Sequence, residues 1–277
     1  MSAVKAGRQR LDTLLVERGL TASREKARAL ILAGQVRVDN QRIDKASAMV
    51  AAEALVECEQ PDAYASRGGY KLAHALDTFS MDVAGVTALD AGASTGGFTD
   101  VLLQRGAARV YAVDVGYGQL DWKLRSDSRV VVMERTNIRY VRDMPEPVQF
   151  VTADLSFISL TLVLPGLRQL ADEGARYVLL VKPQFEAGRA EVGKHGVVRD
   201  PATHRRVLEK IAGHIASLGL SLRGLTASPI LGPAGNVEFL AWCADAPPAA
   251  EASNVLISAA LREAESIRRP GRGRTGN

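Results

Sequence analysis

The sequence predicts an α/β fold, a Rossmann-like doubly wound sheet preceded by a small N-terminal α+β unit. Three observations point there. From Val86 onward, short β-rich apolar runs alternate with helical stretches, the rhythm of parallel strands joined by crossover helices. The run Leu89-Asp90-Ala91-Gly92-Ala93-Ser94-Thr95-Gly96-Gly97-Phe98 reads as a strand entering a glycine turn and then a helix. Before Pro61 the pattern differs, with short capped helices followed by an alternating strand.

A chain of 277 residues can bury one large core and one small one. No apolar stretch approaches the ~18 residues that span a bilayer. The N-terminus has no continuous apolar run of the signal-peptide type, so a soluble, cytoplasmic protein without membrane association is expected. Cys58 and Cys243 are the only cysteines and lack ligand spacing, as do the histidines. Neither a disulfide framework nor a metal site is expected. The net charge of +4 leans towards polyanionic partners, although an unspecialised basic surface gives the same value.

In the N-terminal unit, Leu11, Leu14 and Leu15 form a helical stripe that Gly19 can end. Ser23 is placed to cap a second helix, with Ala27, Leu30 and Ile31 inward and Gly34 as its stop. Val36-Arg37-Val38 alternates as a strand and Asp39-Asn40-Gln41 suits a turn. Arg24 and Arg28 share one face of the second helix. Glu17, Glu25, Asp39 and Asp44 dilute the basic charge, so on charge alone this is equally a solvated face. Arg10-Leu11-Asp12, Gly19, Ser23-Arg24, Ala27, Leu30-Ile31, Gly34 and Val36-Arg37-Val38 together resemble the S-four-type RNA-binding domain, over residues 8–65. That resemblance implies structured RNA as the partner, with Arg10, Arg24, Arg28 and Arg37 as contacts.

Glu59-Gln60-Pro61-Asp62-Ala63 marks a polar boundary, and Ser66-Arg67-Gly68-Gly69 opens a helix running through Leu72 and Leu76. Strands are expected at 86–91, 109–114, 148–154 and 176–182. Their carboxyl ends carry Asp90, Asp114, Asp154 and Lys182, and ligands of open α/β sheets bind at such ends. The turn Gly92-x-x-x-Gly96-Gly97 is neither the dinucleotide fingerprint nor a phosphate-gripping loop. A glycine turn followed by an acid suited to ribose hydroxyls, Asp114, fits S-adenosylmethionine better than NAD or ATP, because that cofactor has a ribose but no pyrophosphate. The glycines also fit a plain tight turn, and Asp154 with Lys182 a plain ion pair. Lys71 and Glu238 weigh against the latter. If the run Glu238–Trp242 is a late antiparallel strand, Lys71, Asp154, Lys182 and Glu238 converge at one mouth.

Lys-Asp-Lys-Glu in that order is the tetrad of FtsJ-like ribose 2′-O-methyltransferases. The segments Ser66-Arg67-Gly68-Gly69-x-Lys71-Leu72, Asp90–Thr99, Asp154–Leu160, Val181–Glu186 and Gly235–Glu238 are similar to those of the TlyA family, ribosomal RNA methyltransferases often labelled hemolysins. The resemblance implies a Rossmann-like S-adenosylmethionine-dependent methyltransferase domain over 66–246. A C-terminal helix and a basic, partly disordered tail are expected over 247–277. It implies Lys71, Asp154, Lys182 and Glu238 as catalytic residues and Asp90, Gly92, Ser94, Thr95, Gly96, Gly97, Phe98 and Asp114 as cofactor contacts. The substrate it implies is a cytidine 2′-hydroxyl in ribosomal RNA, with ribosomal subunits as partners. Lys182 either accepts the hydroxyl proton or steers the oxygen towards the methyl group. Methylation of a base is disfavoured, because Asp154-Leu155-Ser156-Phe157 is not an amine-methylase motif and no cysteine stands at this mouth. Phe157 and Phe185 are candidates for stacking on a base, and the polar segment from Glu186 to Asp200 for covering it. The competing readings are a pore-forming hemolysin and a non-catalytic ribosome-assembly factor.

Overall fold

Local signals shape the N-terminal part of the chain. In the computed structural model, which describes residues 7–58, 63–245 and 250–268, the chain divides after Ala63 into two compact units. In the first, β1 (Arg8–Arg10) leads directly into α1 (Leu11–Glu17), whose Leu11, Leu14 and Leu15 are buried. Gly19 turns the chain at φ 69°, a conformation that costs glycine little. Ser23 caps α2 (Arg24–Leu32) by accepting a hydrogen bond from the Lys26 N–H at 3.2 Å. β2 (Val36–Val38) and β3 (Gln41–Arg42) form a hairpin across Asp39 and Asn40, at φ 50° and 65°, as a two-residue turn of the right twist demands. β4 (Met49–Ala51) pairs with β1, and β5 (Val56–Cys58) with β2. The apolar core sets Ala27, Ile31, Val36 and Val56 against the α1 leucines. Leu30 is only half-buried, and the boundary around Pro61 lies outside the described residues.

The second unit opens with α3 (Gly68–Thr78) and continues through β6 (Thr87–Ala91), α4 (Gly97–Gln104), β7 (Arg109–Val113), α5 (Trp122–Arg125) and β8 (Val130–Met133). It then runs through β9 (Phe150–Ala153), α6 (Leu164–Leu170), β10 (Arg176–Val181), α7 (Pro183–Glu186), α8 (Pro201–Ser217), β11 (Leu220–Ala227), β12 (Phe239–Asp245) and α9 (Ala250–Arg268). Seven strands form one sheet in the order β8-β7-β6-β9-β10-β12-β11. β6 to β10 are parallel, and β12 runs against both β10 and β11. Strand order reverses between β6 and β9, which opens a crevice at their carboxyl ends.

Side chains alternate across the sheet, as a pleat requires. Leu89, Val151, Leu179 and Val181 join α6, α8 and α9 on one face. Ala88, Val110, Phe150 and Leu180 join α3, α4 and α5 on the other. Two strands of this sheet were not expected from sequence. β8 is a half-buried edge strand, and β11 is broken by a register shift between Leu222 and Gly224. The C-terminal segment set apart at 247–277 contains α9, and Ile257, Ala260 and Ala264 of that helix belong to the core of the second unit. The basic tail at 269–277 lies outside the described residues. No helix of the described residues is long and apolar enough to cross a membrane.

Candidate functional site

Close approach of backbone shapes the crevice. Gly92 leaves β6 at φ 88°, and a Cβ there would stand 2.5 Å from the Asp154 carbonyl oxygen, so a larger residue would push the β6 and β9 loops apart. A Cβ on Gly97 would meet the Gly69 nitrogen at 2.8 Å, so the N-termini of α3 and α4 meet because this position is bare. Ser66, Arg67, Gly68, Gly97 and Phe98 thereby line a cavity of about 650 Å³. Unsatisfied N–H groups at helix N-termini favour an anionic ligand group.

All four residues of the expected tetrad line this cavity. Lys71, on α3, pairs with Glu238, which stands just before β12, at 2.5 Å. Lys182, following β10, pairs with Asp154, following β9, at 2.6 Å. Both lysines and Glu238 are buried, so these pairs are far less screened than surface ones. Because β12 is antiparallel, Phe239 lies opposite Val181, and the start of that strand meets the ends of its neighbours.

Ser156, Gln184 and Asn236 join the site although sequence reasoning did not single them out. Lys182 donates to Ser156 Oγ at 2.9 Å, and Gln184 Nε2 donates to Glu238 Oε1 at 3.1 Å. Asn236 donates to the Gly196 carbonyl and accepts from the Val198 N–H, each at 2.9 Å, fixing the segment that carries His195. The only signal for them was their place inside the quoted motifs. Phe157 is 90% exposed at φ 63°, with its ring 5.0 Å from that of Phe185. Of the four histidines, His195 alone lines the cavity.

The expected cofactor residues separate into two groups. Gly92, Ser94, Thr95, Gly97 and Phe98 line the cavity, while Gly96, at φ 96°, opens α4. Asp90 is fully buried and does not line it. Its carboxyl accepts from Thr99 Oγ1 at 2.7 Å and Thr152 Oγ1 at 2.9 Å, tying β6 to β9 and α4. Burial pushes Asp90 up to about 6, against the pull of those two hydroxyls. Asp114 accepts from the Ser94 N–H at 2.8 Å and the Gly116 N–H at 2.7 Å and faces a smaller cleft shared with Ser94, Leu120 and Glu134. Each of its oxygens keeps a lone pair for a ribose hydroxyl. The bare cradle at Gly92, the two helix N-termini and Asp114 suit an adenosyl amino acid such as S-adenosylmethionine, which needs no pyrophosphate grip.

In the first unit, Arg10 and Arg24 converge on Asp12 at 2.8 and 3.1 Å. Asp12 is fully buried, and the two guanidiniums hold it well below the usual carboxylate range. Arg28 is exposed with no carboxylate partner among the described residues, and Arg37 lies opposite Glu57 in the β2–β5 register.

The chain is similar to known proteins. The FtsJ-like methyltransferase profile matches residues 64–244, and the S4 domain profile matches residues 9–56. The chain is 51% identical over 243 residues to the 16S/23S rRNA (cytidine-2′-O)-methyltransferase TlyA of Mycobacterium tuberculosis, covering 86% of this chain and 90% of that protein. It is 51% identical over 240 residues to YqxC of Bacillus subtilis, named as a candidate rRNA methyltransferase, covering 84% of each. A Streptococcus thermophilus structure named as a candidate hemolysin superposes with a TM-score of 0.71 at 40% identity, over 95% of this chain and 99% of that one.

Proposed function

The chain belongs to the FtsJ-like methyltransferase family, in its TlyA branch, and on that premise we propose that it methylates the ribose 2′-hydroxyl of a cytidine in ribosomal RNA. S-adenosylmethionine is the donor, and RNA is the partner of the S4 domain. The observation that carries this reading is the pairing of Lys71 with Glu238 and Lys182 with Asp154 in the wall of one cavity, beside the glycine turn.

Bound S-adenosylmethionine supplies a methyl group already activated on a sulfonium, so the chain has to align a weak nucleophile and give one proton a destination. Lys182 carries out the alignment. Asp154 and Ser156 occupy two of its ammonium protons. The third is left to donate to the ribose 2′-oxygen and hold a lone pair in line with the methyl group. As the oxygen–carbon bond formed and the methyl–sulfur bond broke, with S-adenosylhomocysteine leaving as a neutral thioether, the hydroxyl proton would become strongly acidic and pass to the Asp154 carboxylate. Lys71 and Glu238 neutralise each other beside that pair, and Gln184 holds the Glu238 carboxylate in place. Gly92, Gly97 and the α3 and α4 N-termini hold the amino-acid end of the cofactor, and Asp114 the ribose. Unmodified ribosomal subunits are the proposed form of the substrate.

The test is incubation of unmodified ribosomal subunits with the full chain and S-adenosylmethionine, followed by nuclease digestion and mass spectrometry. A 2′-O-methylcytidine is expected from the wild type. Lys182→Ala should bind the cofactor as before and lose about 10²–10⁴-fold in kcat, the usual worth of a positioned proton-handling group. A methyl group found on a base would overturn the assignment.

A further inference from the structure

Glu186 is a buried carboxylate that the chemistry above leaves unused. It closes α7, the short helix that begins immediately after Lys182. Its side chain is 1% exposed. Oε1 accepts from the Leu160 N–H at 2.7 Å, and Oε2 accepts from the Ser159 hydroxyl at 2.5 Å. Both donors lie on the segment leaving β9, which first carries Asp154, Ser156 and Phe157.

The two catalytic segments are therefore joined at both ends. At the near end Lys182 meets Asp154 and Ser156. At the far end Glu186 holds Ser159 and Leu160. Phe157 and Phe185 pack between the two ties. Phe157 sits at φ 63°, a backbone state that is strained in a residue with a Cβ and persists only where its surroundings impose it. Taking a carboxylate out of water carries a large desolvation penalty, so two directional hydrogen bonds are a costly way to close a loop that apolar packing could close. What they add over packing is a fixed separation.

We infer that Glu186 is a positioning residue: through Ser159 and Leu160 it sets the Asp154–Phe157 segment against the α7 turn and so fixes where Lys182 sits. Lys210, on α8, secures Glu186 in turn. Its ammonium donates to the Glu186 carbonyl at 3.1 Å and stands 3.6 Å from the carboxylate, while remaining half exposed. The inference rests on the methyl-transfer role given to Lys182 above.

The experiment uses the full-length chain as wild type, Glu186→Ala, Glu186→Gln and Ser159→Ala. Total methyl transfer to ribosomal RNA gives kcat and KM, calorimetry gives S-adenosylmethionine affinity, and thermal unfolding reports the fold. Glu186→Ala should lower kcat by about 10²-fold, as a misplacement near 1 Å can, with KM and cofactor affinity unchanged. Glu186→Gln should recover most of that loss, because an amide can accept from the Leu160 N–H and donate to the Ser159 hydroxyl. Ser159→Ala removes one tie and no charge, and its kcat should fall between those of Glu186→Gln and Glu186→Ala. If Glu186→Ala does not fold, Ser159→Ala decides, and wild-type kcat there overturns the proposal. So does a Glu186→Ala loss confined to KM or cofactor affinity, or a Glu186→Gln variant as slow as Glu186→Ala. Total transfer is read whatever atom receives the methyl group. A methyl on a base would therefore mark failure of the functional reading, while the order of kcat among the variants separately marks failure of this one.

Discussion

Asp12 and Asp90 are both fully buried carboxyls with opposite responses to pH. Asp90 rises to about 6 in the folded chain, against about 3.9 for an unfolded aspartate. The folded state thus keeps its proton longer, and the contribution of Asp90 to stability is full below about pH 4 and shrinks as pH rises towards 6. Asp90→Asn removes this titration. Between pH 4 and 7 the Tm of the wild type is expected to fall relative to that of the variant, and parallel curves would contradict the argument. Asp12 is held below its unfolded value, so its contribution is present above about pH 4 and disappears on acidification. Asp12→Asn should cost about 1–3 kcal/mol at pH 7, the usual worth of hydrogen bonds to a charged group, read from denaturant unfolding. Because Asp12 draws Arg10 and Arg24 together, two of the four arginines expected to meet RNA also brace their own domain.

The turn from β6 into α4 shows how one missing Cβ organises an element. Gly92→Ala forces the β6 and β9 loops apart at Asp154 and puts a side chain at φ 88°. A cost of about 1–3 kcal/mol in stability is expected, with loss of S-adenosylmethionine affinity by calorimetry. Wild-type affinity in that variant would show that the cradle is wider than the geometry implies. The same turn was legible in sequence because glycines announce backbone that other residues disfavour. The Ser23 cap and the Asp39-Asn40 turn were legible for similar reasons, since each is fixed by side chains within a few residues. Strands with apolar runs ending in a charge were also visible: Asp114, Asp154 and Lys182 stand just past β7, β9 and β10, while Asp90 is the penultimate residue of β6 itself. β8 and β11 were not, because their state depends on neighbours distant in the chain. Nor could sequence reveal which lysine faces which acid, or that Asp90 turns inward to Thr99 and Thr152 while Asp154 turns to the cavity. Such choices are made by tertiary packing.

At the scale of the whole molecule, the proposed division of recognition and chemistry between two units of one chain is expected to raise the effective concentration of RNA for the reaction. The grip of the S4 domain is expected to be electrostatic and to release counterions. Reversing Arg24 and Arg28 to Glu in the full chain should weaken RNA binding, flatten its salt dependence and leave cofactor affinity unchanged. Filter binding across a salt series and calorimetry measure the two effects, and an unaltered salt slope would remove these arginines from the RNA contact. The antiparallel β12 adds a consequence for biosynthesis. Lys71 and Glu238 lie 167 positions apart, and the partner of the first tetrad residue is made after the rest of the tetrad. During translation, N-terminal domains fold first, so the RNA-gripping unit is formed while the catalytic crevice still lacks a wall. Until Glu238 has left the ribosome, Lys71 lacks its paired carboxylate. If the proposed tetrad carries the reaction, the growing chain is expected to hold RNA before it can methylate any, with competence arriving only with one of the last strands to be synthesised.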